Sequence, residues 1–222
     1  MGQGEIKGRP DGGIRMSISY PLALPTVTGF MSIRFNAHTT VAVSSSPFTG
    51  QQQVQEFPNQ GWQAEITLPP MKRASAEEWI SFLLKLNGRR GTFLLHNPAS
   101  LVTRGIGTGT PLINGAHAAG VNSLVTDGWT ISQTGILKAG DLIQLGSGST
   151  SRMYMNLSDV NSDGSGNATL DIWPSTRAAA ANNDAIVVSS CKSVFRLATN
   201  DMSWDIGEAL VYGIGFSAVE AI

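Results

Sequence analysis

Cysteine is almost absent from this chain: Cys191 is the only one in 222 residues. An intrachain disulfide and a cysteine-rich zinc site are therefore excluded, and a reducing cytoplasm is the expected site of synthesis. Charge is also scarce, at 14% Asp, Glu, Lys and Arg against roughly 25% in ordinary soluble domains. The formal net charge is −1 and no dense Lys/Arg cluster occurs, so direct nucleic-acid binding is not expected. No run approaches the roughly 18 apolar residues of a membrane helix, so membrane insertion is not expected. The start, MGQGEIKGRPDGG, lacks the apolar region of a signal peptide. Gly2 is followed by Ile6 where a myristoylation motif needs Ser or Thr. A sparsely charged surface favours association, which points towards a subunit of an assembly.

The clearest pattern present is Trp62 to Asn97, GWQAEITLPPMKRASAEEWISFLLKLNGRRGTFLLHN from Gly61 onward. Trp62, Ala64, Ile66 and Leu68 alternate with Gln63, Glu65 and Thr67, the period of a strand with one buried face. Pro69 and Pro70 lack the N–H to continue a ladder. Ser75 precedes Glu78 by three residues and predicts a capping box opening a helix. Trp79, Phe82, Leu83 and Leu86 form its apolar stripe, Ile80 and Leu84 widen it to most of the girth, and Asn87 with Gly88 predicts a left-handed stop. Glu77 and Glu78 read as first-turn acids favoured by the helix dipole.

Helical periodicity appears only there with force. Short alternating runs bounded by Gly, Asn, Asp, Ser and Pro predict strands over Phe30–Phe35, Thr39–Val43, Val54–Phe57, Trp62–Leu68, Thr92–Leu95, Val194–Leu197 and Leu210–Val219. The class is mainly β. Between about Thr103 and Ala185 Glu disappears and Gly becomes frequent, which marks a second module. Lys138-Ala139-Gly140-Asp141 and Asp163-Gly164 are turn chemistry between apolar runs, predicting a small twisted sheet or barrel of about five strands. Leu101–Arg104 and Asn182–Ala185 read as linkers. The expected plan is a β-domain of residues 1–102 and 186–222 interrupted by an inserted β-module of residues 103–185.

No set of residues carries catalytic chemistry, so an enzyme is not expected, and neither is a cofactor. Asp159 to Gly164 matches half of an EF-hand loop, but Leu170 stands where the bidentate Glu is needed, which favours a Gly-rich turn over a metal site. Gly105-Ile106-Gly107-Thr108-Gly109 has Leu112 in place of the third glycine of a dinucleotide fingerprint and no P-loop Lys. Ser147, Ser149 and Ser165 lie in no nucleophile elbow. His38, His96 and His117 lack metal-ligand or triad spacing. The sequons at Asn156 and Asn167 carry little weight without a secretory signal. Trp129, Trp173 and Trp204 could stack on sugars, which keeps a carbohydrate-binding β-module as the alternative function, although aromatics in strands are more often core.

Three segments carry a family resemblance: WQAEITLPPMKRASAEEWISFLLKLNGRRGTFLLHNP, LKAGDLIQL with DGSGNATLDIWPSTR, and VFRLATNDMSWDIGEALVYGIGFSAVEA. Together they cover about half the chain and resemble the distal tail proteins, minor tail proteins of long-tailed (siphovirus-type) bacteriophages. The resemblance implies a β-sandwich with one flanking helix, plus a second, small β-barrel resembling an oligonucleotide/oligosaccharide-binding (OB-like) domain. It differs in that the second module here is inserted. It further implies a structural virion protein at the tail tip, assembled in the host cytoplasm. Copies would form a homo-oligomeric ring, a hexamer in that family, between the tail tube protein and the tail hub or tip protein, with tape-measure protein and tail fibres as further partners. Ring or tube contacts are expected from the polar loop Ser44–Gln53, notably Phe48, Gln51, Gln52 and Gln53, and from the hairpin Asn87–Gly91. There Arg89 and Arg90 would pair with a neighbour's acids or line the lumen, a solvated turn being an equal alternative.

Overall fold

The computed structural model describes residues 18–222, so the readings made at Gly2 and Ile6 lie outside the described residues, as does the first part of the segment 1–102. The chain runs β1 (Ser32–Ser45), β2 (Gln52–Thr67), β3 (Met71–Lys72), α1 (Arg73–Leu86) and β4 (Phe93–His96). It continues through β5 (Gly109–Ile113), β6 (Ser123–Trp129), β7 (Leu142–Leu145), β8 (Arg152–Asn156), β9 (Ala168–Trp173) and β10 (Ile186–Val187). It closes with β11 (Lys192–Leu197), β12 (Trp204–Ile206) and β13 (Val211–Glu220). Strand makes up 44% and helix 10%, so the class is mainly β.

The first sheet is ordered β1-β2-β13-β11-β4, with β3 and β12 also pairing β13. The C-terminal strand therefore sits in the middle of a sheet begun by the first half of the chain. The predicted alternation of Trp62, Ala64, Ile66 and Leu68 is buried as expected. It meets Phe216, Ala218, Phe195 and Phe93 in one core. Helix α1 adds Trp79, Phe82, Leu83 and Leu86, all buried, and each such burial contributes about 1.5–3 kcal/mol. Phe82 lies edge-on to Phe93 at 5.6 Å between ring centroids, a favoured aromatic geometry.

Two expectations about α1 are corrected. The helix begins at Arg73, two residues before Ser75, directly out of β3, and no side chain caps it. Ser75 therefore lies inside the first turn, the capping box does not form, and Glu77 and Glu78 fall in the second turn. Glu77 instead pairs with Arg73 at 2.6 Å across one helical turn, the spacing at which such pairs meet. The helix is also packed on one side only, since Leu84 is 58% exposed. The stop is as predicted: Asn87 adopts φ 51° and Gly88 φ 63°.

The second sheet is ordered β10-β7-β8-β9-β6-β5 and curls nearly into a barrel. Its ends approach where Leu112 bridges Ala185, Ile113 N–H donates to Asp184 O at 2.9 Å and Asn183 N–H donates to Ile113 O at 2.8 Å. Asn182–Ala185, expected as a linker, is thus bonded into the wall, and the sixth strand, Ile186–Val187, follows it. Inside lie Ile113, Leu124, Ile136, Leu137, Leu170 and Ile172. The buried Asp141 carboxylate accepts from the backbone N–H groups of Arg104, Gly105 and Lys138 at 2.8–3.0 Å. It thereby ties the incoming strand connection to the Lys138–Asp141 turn.

Each sheet has its own core, and Leu142 and Met153 of the second sheet join that of the first. Trp62 of β2 stands edge-on to Trp173 of β9 at 4.7 Å, and its indole N–H donates to Met153 O of β8 at 3.0 Å. Cys191 is buried, with its thiol directed at Leu142 O and Val187 O; burial pushes its pKa up to about 12. The Glu220 carboxylate accepts from Arg177 Nη2 at 3.1 Å, Ser193 Oγ at 2.9 Å and Trp62 N–H at 3.3 Å. Arg177 also donates to Gln60 O, while its Nε has no partner.

Candidate functional site

The feature that departs most from a packed globule is the hairpin β1–β2. Sequence reading divides it into four short strands, with Pro58 falling between the last two. The structure instead runs two strands of 14 and 16 residues and absorbs the proline in an irregularity of the ladder. Thr39 pairs Gln60, whereas Val41 pairs Glu56, so Phe57, Pro58 and Asn59 together face Thr40. A residue without an N–H is tolerated at such a site. Asn59 Nδ2 donates to Thr40 Oγ1 at 3.0 Å and closes the gap.

Beyond that irregularity the hairpin becomes an arm: every residue from Val41 to Ser45 and from Gln52 to Glu56 is exposed. At the strand rise the arm reaches roughly 15 Å past the irregularity. Cross-strand pairs Val41↔Glu56, Val43↔Val54 and Ser45↔Gln52 put Val41, Val43 and Val54 on one face. The intervening Ala42, Ser44, Gln53 and Gln55 lie on the other. Val41, Val43 and Val54 are 44%, 57% and 59% exposed. At the tip, Ser46 N–H donates to Gln51 O at 2.9 Å and Gly50 N–H to Ser46 O at 3.0 Å. Gly50 takes φ +70°, a conformation glycine adopts without strain. Phe48 on this turn is 94% exposed.

The expected contact residues divide between two places. Phe48, Gln51, Gln52 and Gln53 lie together at the arm tip. Arg89 and Arg90 are exposed in the turn that follows α1, where Arg89 N–H donates to Asn200 Oδ1 at 3.2 Å. That turn leads into β4, at the opposite edge of the sheet from β1. The three valines of the arm were legible only as strand residues, since nothing local signals that their strand leaves the core.

Elsewhere the polar groups are engaged with the fold. Asp159 binds Lys138 Nζ at 2.9 Å and Ala139 N–H at 3.0 Å, which holds its carboxyl below the usual range. Asn161 Oδ1 accepts from Gly135 N–H at 2.7 Å. Asp163 accepts from Asn167 and Ser165 N–H, with its pKa lowered chiefly by the Asn167 contact. These oxygens cap turns of the long β8–β9 connection. The N–H groups of Ile106 and Gly107 donate to Gly135 O and Ile136 O, so they present no phosphate cradle.

His38 is exposed beside Thr40. His117 Nε2 accepts from Val125 N–H at 3.2 Å. His96 is half-buried on β4, its pKa lowered by burial and then by Lys192. Among the described residues no three His, Cys, Asp or Glu side chains converge on a metal-sized site. Trp129 is buried in the barrel with its N–H on Thr126 Oγ1. Trp173 lies towards the other end of the β6–β9 pair against Trp62, and Trp204 stands on β12. They form no shared stacking surface.

No protein-family model matches this chain, and no match is found among curated proteins.

Proposed function

We propose that this chain is a structural, non-catalytic component of the distal end of a long-tailed phage tail, whose copies close into a ring joining the tail tube to the tip hub and receptor-binding apparatus. The finer reading takes the first sheet, α1 and the flanking segments (1–102 and 186–222) as the ring-forming β-sandwich. It takes residues 103–185 as an OB-like inserted barrel carried on the outside. The single observation that carries the proposal is the arm: three exposed valines on one face and an exposed phenylalanine at the tip, left uncovered by the described residues. Such a projection suits a heterologous contact, in which one surface of each copy meets a different surface of the next and the rotation closes. The low charge of the chain reduces the desolvation cost of that contact.

Native mass spectrometry and negative-stain microscopy of the purified chain test it. A closed ring with a central hole is expected, sixfold if the resemblance extends to copy number. A chain that remains monomeric at every concentration up to its solubility refutes the proposal.

A further inference from the structure

The segment from Tyr20 to Met31 runs as a strap beside α1 and the β4 edge, and it is tied down near both ends. At its start, Tyr20 OH donates to Lys85 O at 2.7 Å, Leu22 N–H donates to Thr92 O at 2.8 Å and Leu94 N–H donates to Leu22 O at 2.9 Å. At its end, Trp79 Nε1–H donates to Thr28 Oγ1 at 2.9 Å and Met31 N–H donates to Thr67 O at 2.9 Å. Between these ties the strap borders a cavity of about 520 Å³, whose other walls come from α1, β4 and β11. Small-molecule sites occupy roughly 300–1,000 Å³ and combine apolar walls with a few polar groups that orient the ligand.

This cavity has that composition. Trp79 is buried and lies 6.3 Å from Phe30 between ring centroids, and the His96 imidazole lies 6.4 Å from Phe30, so three rings border the space. Leu24, Pro25 and Leu94 extend the apolar lining. The one charged side chain at the cavity is Lys192. It stands opposite His96 in the β11–β4 ladder, and residues so paired project from the same face. Among the described residues no Asp or Glu lines the cavity, and Lys192 takes part in none of the ion pairs. Burial, and then the charge on Lys192, lower the His96 pKa. At pH 7 the imidazole is therefore neutral and the cavity carries a single positive charge.

We infer that this cavity binds a small monoanionic acid with an aromatic body, the body lying against Phe30, Trp79 and Leu24 and the carboxylate meeting the Lys192 ammonium beside His96. The charge of the ligand follows from the lysine. A cation would meet Lys192 with no carboxylate to offset it, whereas a carboxylate gains a charge-assisted hydrogen bond, roughly twice as strong as a neutral one. A sugar would face too many apolar groups and too few hydrogen-bonding ones. The site lies at the β4 edge, away from the arm at the other edge of the sheet, and the inference does not depend on the ring reading.

Saturation-transfer NMR titrations of the full chain test it with three probes of one shape: indole-3-acetate, neutral indole-3-acetamide and cationic tryptamine. Indole-3-acetate should bind saturably with a Kd of roughly 1 mM or tighter, as suits a ligand of about a dozen heavy atoms. The acetamide should bind more weakly and tryptamine weakest. Lys192 is exposed, so Lys192→Met spares the packing; it should weaken indole-3-acetate about threefold to tenfold and leave the acetamide within about twofold. Leu24→Trp should fill the cavity and weaken both by at least tenfold, and the ranking of the three probes on wild type stands even if that variant fails to fold. Absence of saturable indole-3-acetate binding up to about 10 mM overturns the inference. So does tryptamine binding as tightly as the acid, or an affinity for the acid that Lys192→Met leaves unchanged.

Discussion

Replacing Glu220 by alanine would separate the energetics of the junction from simple loss of packing. Glu220 and Arg177 keep only 2% and 7% of their side chains exposed, at 3.1 Å from each other. The carboxylate also accepts from Ser193 Oγ and Trp62 N–H. Arg177 already has one buried donor, Nε, without a partner. Removing the acid leaves a buried guanidinium with only Gln60 O for compensation, and breaking one half of a buried pair costs about 3–5 kcal/mol. For a chain of this length that is a fall in Tm of roughly 6–20 °C. Removing both partners with Arg177→Met and Glu220→Leu takes away charge and counter-charge together, so the double variant should lie within about 1–2 kcal/mol of wild type. Urea titrations of wild type, Glu220→Ala, and the cycle of Arg177→Met, Glu220→Leu and their double variant, followed by far-UV circular dichroism and tryptophan fluorescence, measure this directly. A Glu220→Ala loss below about 1 kcal/mol, or a double variant as unstable as the sum of the singles, refutes the reasoning.

Cys191 should resist thiol reagents in the folded protein and react fully in denaturant. Its folded pKa stands above its unfolded value, so the unfolded chain ionises first. Stability present below about pH 9 should fall as pH rises towards about 12, and Cys191→Ala should lessen that slope when urea midpoints are compared across the range. At Gly105 an added Cβ would lie 2.4 Å from Ile136 O and 2.6 Å from Leu137 Cα. Gly105→Ala should therefore lower stability by about 1–3 kcal/mol in thermal denaturation. On α1, Leu83→Ala should cost about 2–5 kcal/mol and Leu84→Ala within about 0.5 kcal/mol, a contrast that equal costs would contradict.

What could be read from the sequence follows the range of the forces involved. The burial of Trp62, Ala64, Ile66 and Leu68, and the left-handed stop at Asn87, depend on neighbours within a few residues and were legible. Ser75 misled because a two-residue strand, Met71–Lys72, pairs with Val211 and Tyr212 and fixes the helix start from across the sheet. The strand breaks expected after Phe35 and Phe57 do not occur, because the β1–β2 ladder runs through both and Asn59, bonded to Thr40, carries the hairpin past Pro58. The meeting of Gln60, Arg177 and Glu220 joins residues more than forty positions apart and has no local signature. The same holds for the arm, whose valines alternate as in any strand and differ only in remaining exposed.

The core that runs through Trp62 has a consequence for anyone who would treat the barrel as an exchangeable cartridge. Excising it would strip Met153 from the indole N–H, uncover Cys191 and leave Glu220 facing solvent without its arginine. A graft of a different second sheet onto the first would have to reproduce an aromatic edge, a carbonyl acceptor and a cation at three positions, whatever its loops were chosen to do.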